Sequence, residues 1–509
     1  MYVDVSDQPT QRLPTIAPTT RTAALSVRRR RRRRVVVWAA VLLAVVAVVV
    51  AGWAGAFDQV PLLNAVAATA IEVCGGVLLV AGWYRRDRAW LTRTLPVTLL
   101  AVAALVGVIA AGLWVTGTVT DAYPPSFAVW VGAGFAAAAT CPLVLRHHAP
   151  GRIVVWRKAA AVAAVPLSLA GAFLLIDQEY GIWPQVGDVL GHTPVVNGEQ
   201  GLRNLINGAR PGGTGPAASQ GVIVALDAPA TVSHFPHRSG VVFLPPAYFG
   251  PQGGSLPVLV MLVGAPGTPI NWLRAGHGKD TDNAYAASHH GVAPVLVVVD
   301  QNGSAIGDSE CVDSPAGNAE TYLAVDVPAF ITGTLHLRHD PARWGIVGFS
   351  EGGTCALTLV LRHPDIYRHL IDFGGDARPN LGSPQHTLTA LYRGSVADAQ
   401  AHDPAHLLAT RQYPGVTAWF GAGVDDARGI TVGQHMAMLT RMAGIPTHAF
   451  TGAGGHNWQF AAAGLATIFN PLCDELGCTG HPTPATPVTP PTHRHPSPAP
   501  KPTTRRKRP

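Results

Sequence analysis

Trp344-Gly345-Ile346-Val347-Gly348-Phe349-Ser350-Glu351-Gly352-Gly353-Thr354-Cys355-Ala356-Leu357-Thr358-Leu359-Val360-Leu361 runs from a short apolar segment, through a turn bearing a serine, into a helix-like segment. A strand, a sharp turn and a helix are the local context that a nucleophile elbow requires. The bare Gly-x-Ser-x-Gly pattern is weak in a chain with 55 glycines. Its meaning depends on whether the rest of the chain supplies partners for the serine.

Short Val/Leu-rich runs suggest strands at Val222–Leu226, Val241–Leu244, Val258–Val263, Val295–Val299, Gly345–Phe349, Leu370–Phe373, Val416–Phe420 and Thr447–Thr451. Helical patterns fall between most of them, notably Ala319–Ile331, Gly353–Arg362 and Thr431–Met442. Strands alternating with helices predict a mostly parallel α/β sheet covered on both faces. Chemistry in such sheets gathers at the carboxyl ends of the strands.

A serine hydroxyl is a poor nucleophile at neutral pH and needs a base, which in turn needs an orienting acid. His456 is the candidate base, because Gly454-Gly455-His456-Asn457-Trp458 follows the last expected strand on a glycine-rich loop. The acid comes from Gly423-Val424-Asp425-Asp426, just after the Val416–Phe420 strand. Both carboxylates are candidates, with Asp426 favoured over Asp425. Two backbone N–H groups must receive the oxyanion. One is expected from Glu351. The other is expected from Gly264-Ala265-Pro266-Gly267, where Pro266 has no N–H, so Ala265 comes before Gly267.

With these residues in place, the domain resembles the esterase D and mycolyltransferase branch of the α/β-hydrolases. The similar segments are Gly264–Gly267 with Trp272, Pro294–Asp300, Glu320–Leu323 with Val327-Pro328, Gly348–Gly353, His363-Pro364 and Gly455–Trp458. The resemblance implies hydrolysis of carboxylic esters, or acyl transfer between sugars and lipids, with an acyl-ester substrate of lipid or glycan origin. It also implies Ser350 as nucleophile, His456 as base, Asp426 as acid, and Ala265 and Glu351 as oxyanion donors. No cofactor or metal is implied. The chain departs from the branch in offering Asp where mycolyltransferases usually carry Glu, and Val263-Gly264 where esterase D members carry His-Gly. It also replaces a cleaved leader with apolar spans.

Those spans fill the first third of the chain. Val35–Ala56, Pro61–Trp83, Leu95–Gly117, Phe127–Leu145 and Ala159–Ile176 are each about 18 to 23 residues, enough to cross a hydrocarbon core. Positive charge sits before the first run (Arg28–Arg34), after the second (Arg85, Arg86, Arg88, Arg93) and after the fourth (Arg146, Arg152, Arg157, Lys158). The other two loops carry Asp58 and Asp121 and no Lys or Arg. Positive loops stay inside, so the expectation is a cytoplasmic N-terminus, five transmembrane helices and an extracytoplasmic α/β-hydrolase domain. The arginine block then anchors topology and meets anionic lipid, and no nucleic acid is expected. Glu72, inside the second span, is a functional candidate by default; the plainer reading is a protonated carboxyl bonded to a neighbouring helix.

The expected divisions are a basic N-terminus (1–34), a membrane domain (35–176), a juxtamembrane linker (177–220), the hydrolase domain (221–478) and a Pro-rich basic tail (479–509). The tail cannot form a core; contact with anionic wall polymers is one candidate role, and a solvated tail is the plainer reading. The stretch Ala377–Gln412 is a candidate cover for the site. Four cysteines fall outside the spans: Cys311, Cys355, Cys473 and Cys478. In an oxidising compartment these suggest disulfides. Three pairings can be drawn, and Cys311–Cys355 with Cys473–Cys478 is the favoured one. An alanine- and arginine-rich, lysine-poor composition fits a high-GC, actinobacterial cell envelope.

Overall fold

The computed structural model describes residues 46–479, apart from 48–49, 64, 85–86, 116–124, 147–151, 184, 191–195, 210–219 and 305–306. The arginine block, most of the first expected span and the Pro-rich tail lie outside the described residues. Among the described residues, 46–60 and 185–190 form a small unit of their own, in which Val186 N–H donates to Val60 O (3.0 Å).

Four apolar helices follow: α1 (Ala65–Trp83), α2 (Leu95–Val115, entered through a π turn at Trp90–Thr94), α3 (Pro125–Leu145) and α4 (Arg152–Tyr180). All four are long and apolar enough to cross a membrane, and no more than 33% of any apolar window is buried. Valines and leucines therefore face outward, among them Val66, Val73, Val77, Val97 and Leu100. Small residues set the packing. A Cβ on Gly82 would lie 3.2 Å from Ala161, and one on Gly171 would lie 3.2 Å from Glu72 Cγ. Glu72 is thus buried where α1 meets α4.

Among the described residues, the rest of the chain builds one nine-stranded sheet. Its strands are β1 (Val196–Asn197), β2 (Val222–Leu226), β3 (Gly240–Leu244), β4 (Val258–Leu262), β5 (Val295–Val298), β8 (Trp344–Phe349), β9 (His369–Phe373), β10 (Thr417–Gly423) and β11 (Thr447–Gly452); β6 (Asp313–Ser314) and β7 (Gly317–Asn318) form a separate hairpin. The order is β1-β2-β3-β5-β4-β8-β9-β10-β11. Only the β2–β3 and β3–β5 pairs are antiparallel. The expected strands all form, and this is an α/β-hydrolase fold. The sequence reading missed β1. It lies in the stretch expected to be a linker, where it pairs with β2 and leads into α5 (Gly198–Ala209).

Period-two alternation divides the core into two layers. From β8, Trp344 and Ile346 enter one apolar cluster, with Leu262, Cys355 and Leu359. Val347 and Phe349 enter the other, with Trp272, Phe373 and Trp458. Each fully buried side chain of this size stabilises by roughly 1.5–3 kcal/mol. The helices that matter here are α6 (Gly278–Ser288), α7 (Val327–Gly333), α8 (Glu351–Arg362), three short helices α9 to α11 (Pro384–Tyr392, Val396–Ala401, Pro404–Thr410), α12 (Ala427–Met442) and α13 (Trp458–Glu475). From β4 the chain passes to β5 on one side, while β8 lies on the other. The crevice at such a reversal is where open α/β sheets place their sites.

Candidate active site

Parallel pairing of Leu262 with Gly348 aligns the ends of β4 and β8. Ser350 follows at φ 59°, ψ −124°, a sparsely allowed conformation for a residue with a Cβ. Two backbone bonds hold it there: Ser350 N–H to Phe373 O (2.9 Å) and Gly353 N–H to Ser350 O (2.8 Å). The flanking glycines are steric necessities. A Cβ on Gly348 would overlap the carbonyl of Gly352, and one on Gly352 would overlap the carbonyl of Leu262. The tight turn lifts the serine off the sheet and starts α8 immediately behind it.

His456 comes from the loop between β11 and α13. Asn457 caps α13 by accepting from Phe460 N–H (3.0 Å), which fixes the loop exit. The imidazole Nε2 lies 2.9 Å from Ser350 Oγ. Its Nδ1 lies 2.9 Å from Asp426 Oδ2. The ring also packs 5.1 Å from that of Phe349. With Nδ1–H donating to Asp426, Nε2 carries no proton and can accept that of the serine.

Asp426 ends the β10 loop and caps α12, its Oδ1 accepting from Gly429 N–H (2.8 Å). Burial opposes its charge, but the hydrogen bond from His456, the Gly429 N–H and the charge of Arg428 together hold its carboxyl below the usual range. Asp425 points elsewhere. It is exposed, and its N–H donates to Gly454 O (3.0 Å), tying the acid loop to the histidine loop. Arg428 reaches across to Asp376 (2.7 Å) and joins the acid loop to the segment after β9.

The β4 loop lies beside the serine, where a Cβ on Gly264 would come within 2.9 Å of Ser350 Cβ. The Ala265–Pro266 bond is cis. Two residues that the sequence reading missed hold this loop. Arg238 donates through Nη1 to Gly267 O (3.0 Å). Gln301 donates to Val263 O and to Glu351 Oε2, so one amide links the β4 loop to the head of α8. Arg238 lies near no motif, and Gln301 sits one residue beyond the Pro294–Asp300 segment. Only the pairing of distant segments could have flagged them.

Glu351 is buried, with Asn302 as a second donor at 3.0 Å. Burial, and then the charge of Asp308, push its carboxyl well above the usual range, against the Gln301 and Asn302 hydrogen bonds. Glu310 is raised by the same causes, burial first. Asn380 N–H donates to Glu310 (2.9 Å), fastening the start of the Ala377–Gln412 stretch, which carries α9 to α11, to the loop after β5.

Cys311 and Cys355 form a disulfide between the loop after β5 and α8. The second favoured pairing is not formed, since Cys473 and Cys478 are separate buried thiols. Their turn is already closed by Cys478 N–H to Cys473 O (2.9 Å). A bridge over so short a loop would restrict the unfolded chain little.

Residues 235–469 match the model of a family described as "Putative esterase". The chain is 36% identical over 246 residues to an uncharacterised protein of Corynebacterium glutamicum, covering 47% of this chain and 58% of that one. It is 25% identical over 191 residues to an S-formylglutathione hydrolase of Paracoccus denitrificans, covering 34% of this chain and 65% of that one. The chain thus spans less than two thirds of either relative. A substrate-bound fluorophosphonate-binding serine hydrolase of Staphylococcus aureus superposes with a TM-score of 0.41 at 16% identity, over 50% of this chain and 98% of that one.

Proposed function

We propose that this chain is a membrane-anchored serine esterase or acyltransferase acting on carboxylic esters of lipids or envelope glycans. The observation that carries the reading is the unbroken hydrogen-bond chain Ser350 Oγ–His456 Nε2, His456 Nδ1–Asp426 Oδ2, at 2.9 Å in each link. The match to an esterase family model over residues 235–469 supports it. His456 takes the proton of Ser350 as the hydroxyl attacks the ester carbonyl. The oxyanion is received by the N–H groups of Ala265 and Glu351, each worth roughly 10²–10³ in rate for such a donor. Collapse expels the alcohol, which takes the proton from His456, and leaves an acyl-serine. Water or an acceptor hydroxyl then gives its proton to His456, attacks the acyl carbonyl and frees the serine. Asp426 keeps the imidazole in the required tautomer and stabilises its charged form; Asp425 has no part in the chain.

The anchor is the set of apolar helices α1 to α4. Arg88 and Arg93 before α2, and Arg152, Arg157 and Lys158 at the start of α4, favour an orientation with the hydrolase domain outside the cell. The test is covalent labelling of the detergent-purified full chain by a fluorophosphonate. Wild type should label at one serine and Ser350→Ala should not. A folded wild-type protein that resists the probe would remove the catalytic reading.

A further inference from the structure

The last apolar helix and the histidine loop are fastened together. Helix α4 ends at Tyr180, and Gly181 follows in the left-handed conformation (φ 68°) that commonly closes helices. The chain then folds back on the helix end. Trp183 N–H donates to Asp177 Oδ1 (2.8 Å), and the Trp183 ring packs 5.3 Å from Phe173. Gln459, in the first turn of α13, lies across this bend. Its Nε2 donates to Gln178 O (2.8 Å). Its side-chain oxygen fills the space a residue larger than glycine would need at 181, since a Cβ there would meet Gln459 Oε1 at 2.6 Å. Next to Gly181, Ile182 packs into the apolar cluster that includes Trp458, Phe460 and Leu465. The domain is therefore fastened to the end of α4 through Gln459 and Ile182.

The place of this mount bounds the height of the site. The apolar part of α4 ends at Ile176, and Gln178 is two residues further on, about 3 Å along the helix. Gln459 is three residues from His456, so their Cα atoms are at most about 11 Å apart. Adding the Gln178 carbonyl, its hydrogen bond and the glutamine and histidine side chains, the catalytic imidazole lies at most about 30 Å from the hydrocarbon edge, and the head-group layer itself takes up about 5–8 Å of that. Lifting a chain wholly into water costs about 0.8 kcal/mol per methylene, on the order of 11 kcal/mol for fourteen carbons. Every methylene that stays among lipid chains lowers that cost by about 0.8 kcal/mol, so a serine fastened close to the end of the span favours esters drawn from the bilayer over esters drawn from water.

We infer that Gln459 and Gly181 form a clamp that holds the active site against the membrane surface, and that the substrate is a long-chain ester taken directly from the bilayer. The inference rests on the membrane-anchored esterase reading above and adds the source of the substrate and the residues that select it. Gln459 is a positioning residue and touches no reacting atom.

The experiment uses the full chain reconstituted into phosphatidylglycerol/phosphatidylethanolamine vesicles, with two esters. One is p-nitrophenyl acetate in the water; the other is 4-methylumbelliferyl palmitate dissolved in the same vesicles. Gln459→Ala removes the clamp from the domain side, and Gly181→Val drives it apart from the helix side. Both variants should lower palmitate turnover at least about tenfold and leave acetate turnover within about twofold. Equal losses on both esters would mean a merely structural contact and overturn the inference, as would unchanged palmitate turnover in both variants. Wild type that cleaves the acetate and not the palmitate overturns the inference alone. Wild type that cleaves neither removes the esterase reading and the inference with it.

Discussion

Arg238 surrounds the carboxylate of Asp300: its backbone N–H, Nε and Nη2 donate at 2.7, 2.9 and 2.7 Å. Asp300 has no exposed surface, and the remaining Nη1 of Arg238 holds Gly267 O. The pair therefore supports the loop that carries Ala265. A planar fork can bond Asp300 on two sides and still reach the loop, whereas an ammonium cannot. Arg238→Lys should lower kcat on p-nitrophenyl acetate about tenfold with KM within about twofold, since the loop is released while the serine and histidine stay in place. It should also destabilise the domain by roughly 1.5–3 kcal/mol, since lysine keeps the charge and loses a hydrogen bond to the buried carboxylate. Steady-state kinetics and a denaturant titration check the two effects. An unchanged kcat would remove the link between Arg238 and the oxyanion loop.

Glu320 ties three cationic or titratable groups together beneath the elbow helix. It accepts from Arg362, from His363 Nε2 (2.8 Å) and from His402 Nε2 (2.9 Å). Burial disfavours its charge, but the bonds from His363, His402 and Arg362 outweigh burial and hold the carboxyl far below the usual range. A carboxyl depressed on folding adds stability above its unfolded pKa of about 4.3, and that stability falls away as pH drops from there towards the folded value. Glu320→Gln should therefore be less stable than wild type at pH 7. The gap should stay constant down to about pH 5 and narrow below about pH 4. Urea titrations across pH 3 to 8 measure it. A gap that widens in acid contradicts the assignment.

Much of this was readable in the chain because the signals were local. Period-two runs located β2 to β11 of the main sheet, and the glycines at 348 and 352 marked the elbow because backbone is packed against both. The order Ser350, Asp426, His456 could be read since each residue directly follows a strand. Choosing between Asp425 and Asp426 could not, because adjacent carboxylates on one loop look alike until the loop's path is known; the Asp425 N–H bond to Gly454 turns that residue outward. The supporting contacts were equally hidden. Glu320 and His363 each lay in segments that looked familiar, yet their bond spans 43 residues and leaves no periodic trace. The stretch 177–220 looked like a spacer because glycine and proline hide periodicity, while the two-residue β1 and the Ile182 contact that tie it down are too short to give any.

The disulfide between Cys311 and Cys355 closes a loop of 44 residues and joins the elbow helix to the segment bearing Asp308 and Glu310. Chain-entropy reasoning gives about 4 kcal/mol for a loop of that length. Reduction should lower the melting temperature of the domain by roughly 10 °C at the size of this fold. Cys473 and Cys478 provide an internal control, because both thiols are buried in the apolar cluster that α13 helps to build. In the unreduced native protein they should resist a charged alkylating reagent, and they should react only once the domain unfolds. Mass spectrometry of alkylated peptides before and after reduction, alongside the melting curve, separates the pairs. If Cys311 and Cys355 alkylate without reduction, or if reduction leaves the melting temperature unchanged, the bridge contributes nothing to the scaffold of Ser350. A fall in melting temperature that tracks alkylation of Cys311 and Cys355 alone would assign the stabilisation to the cross-link behind the elbow.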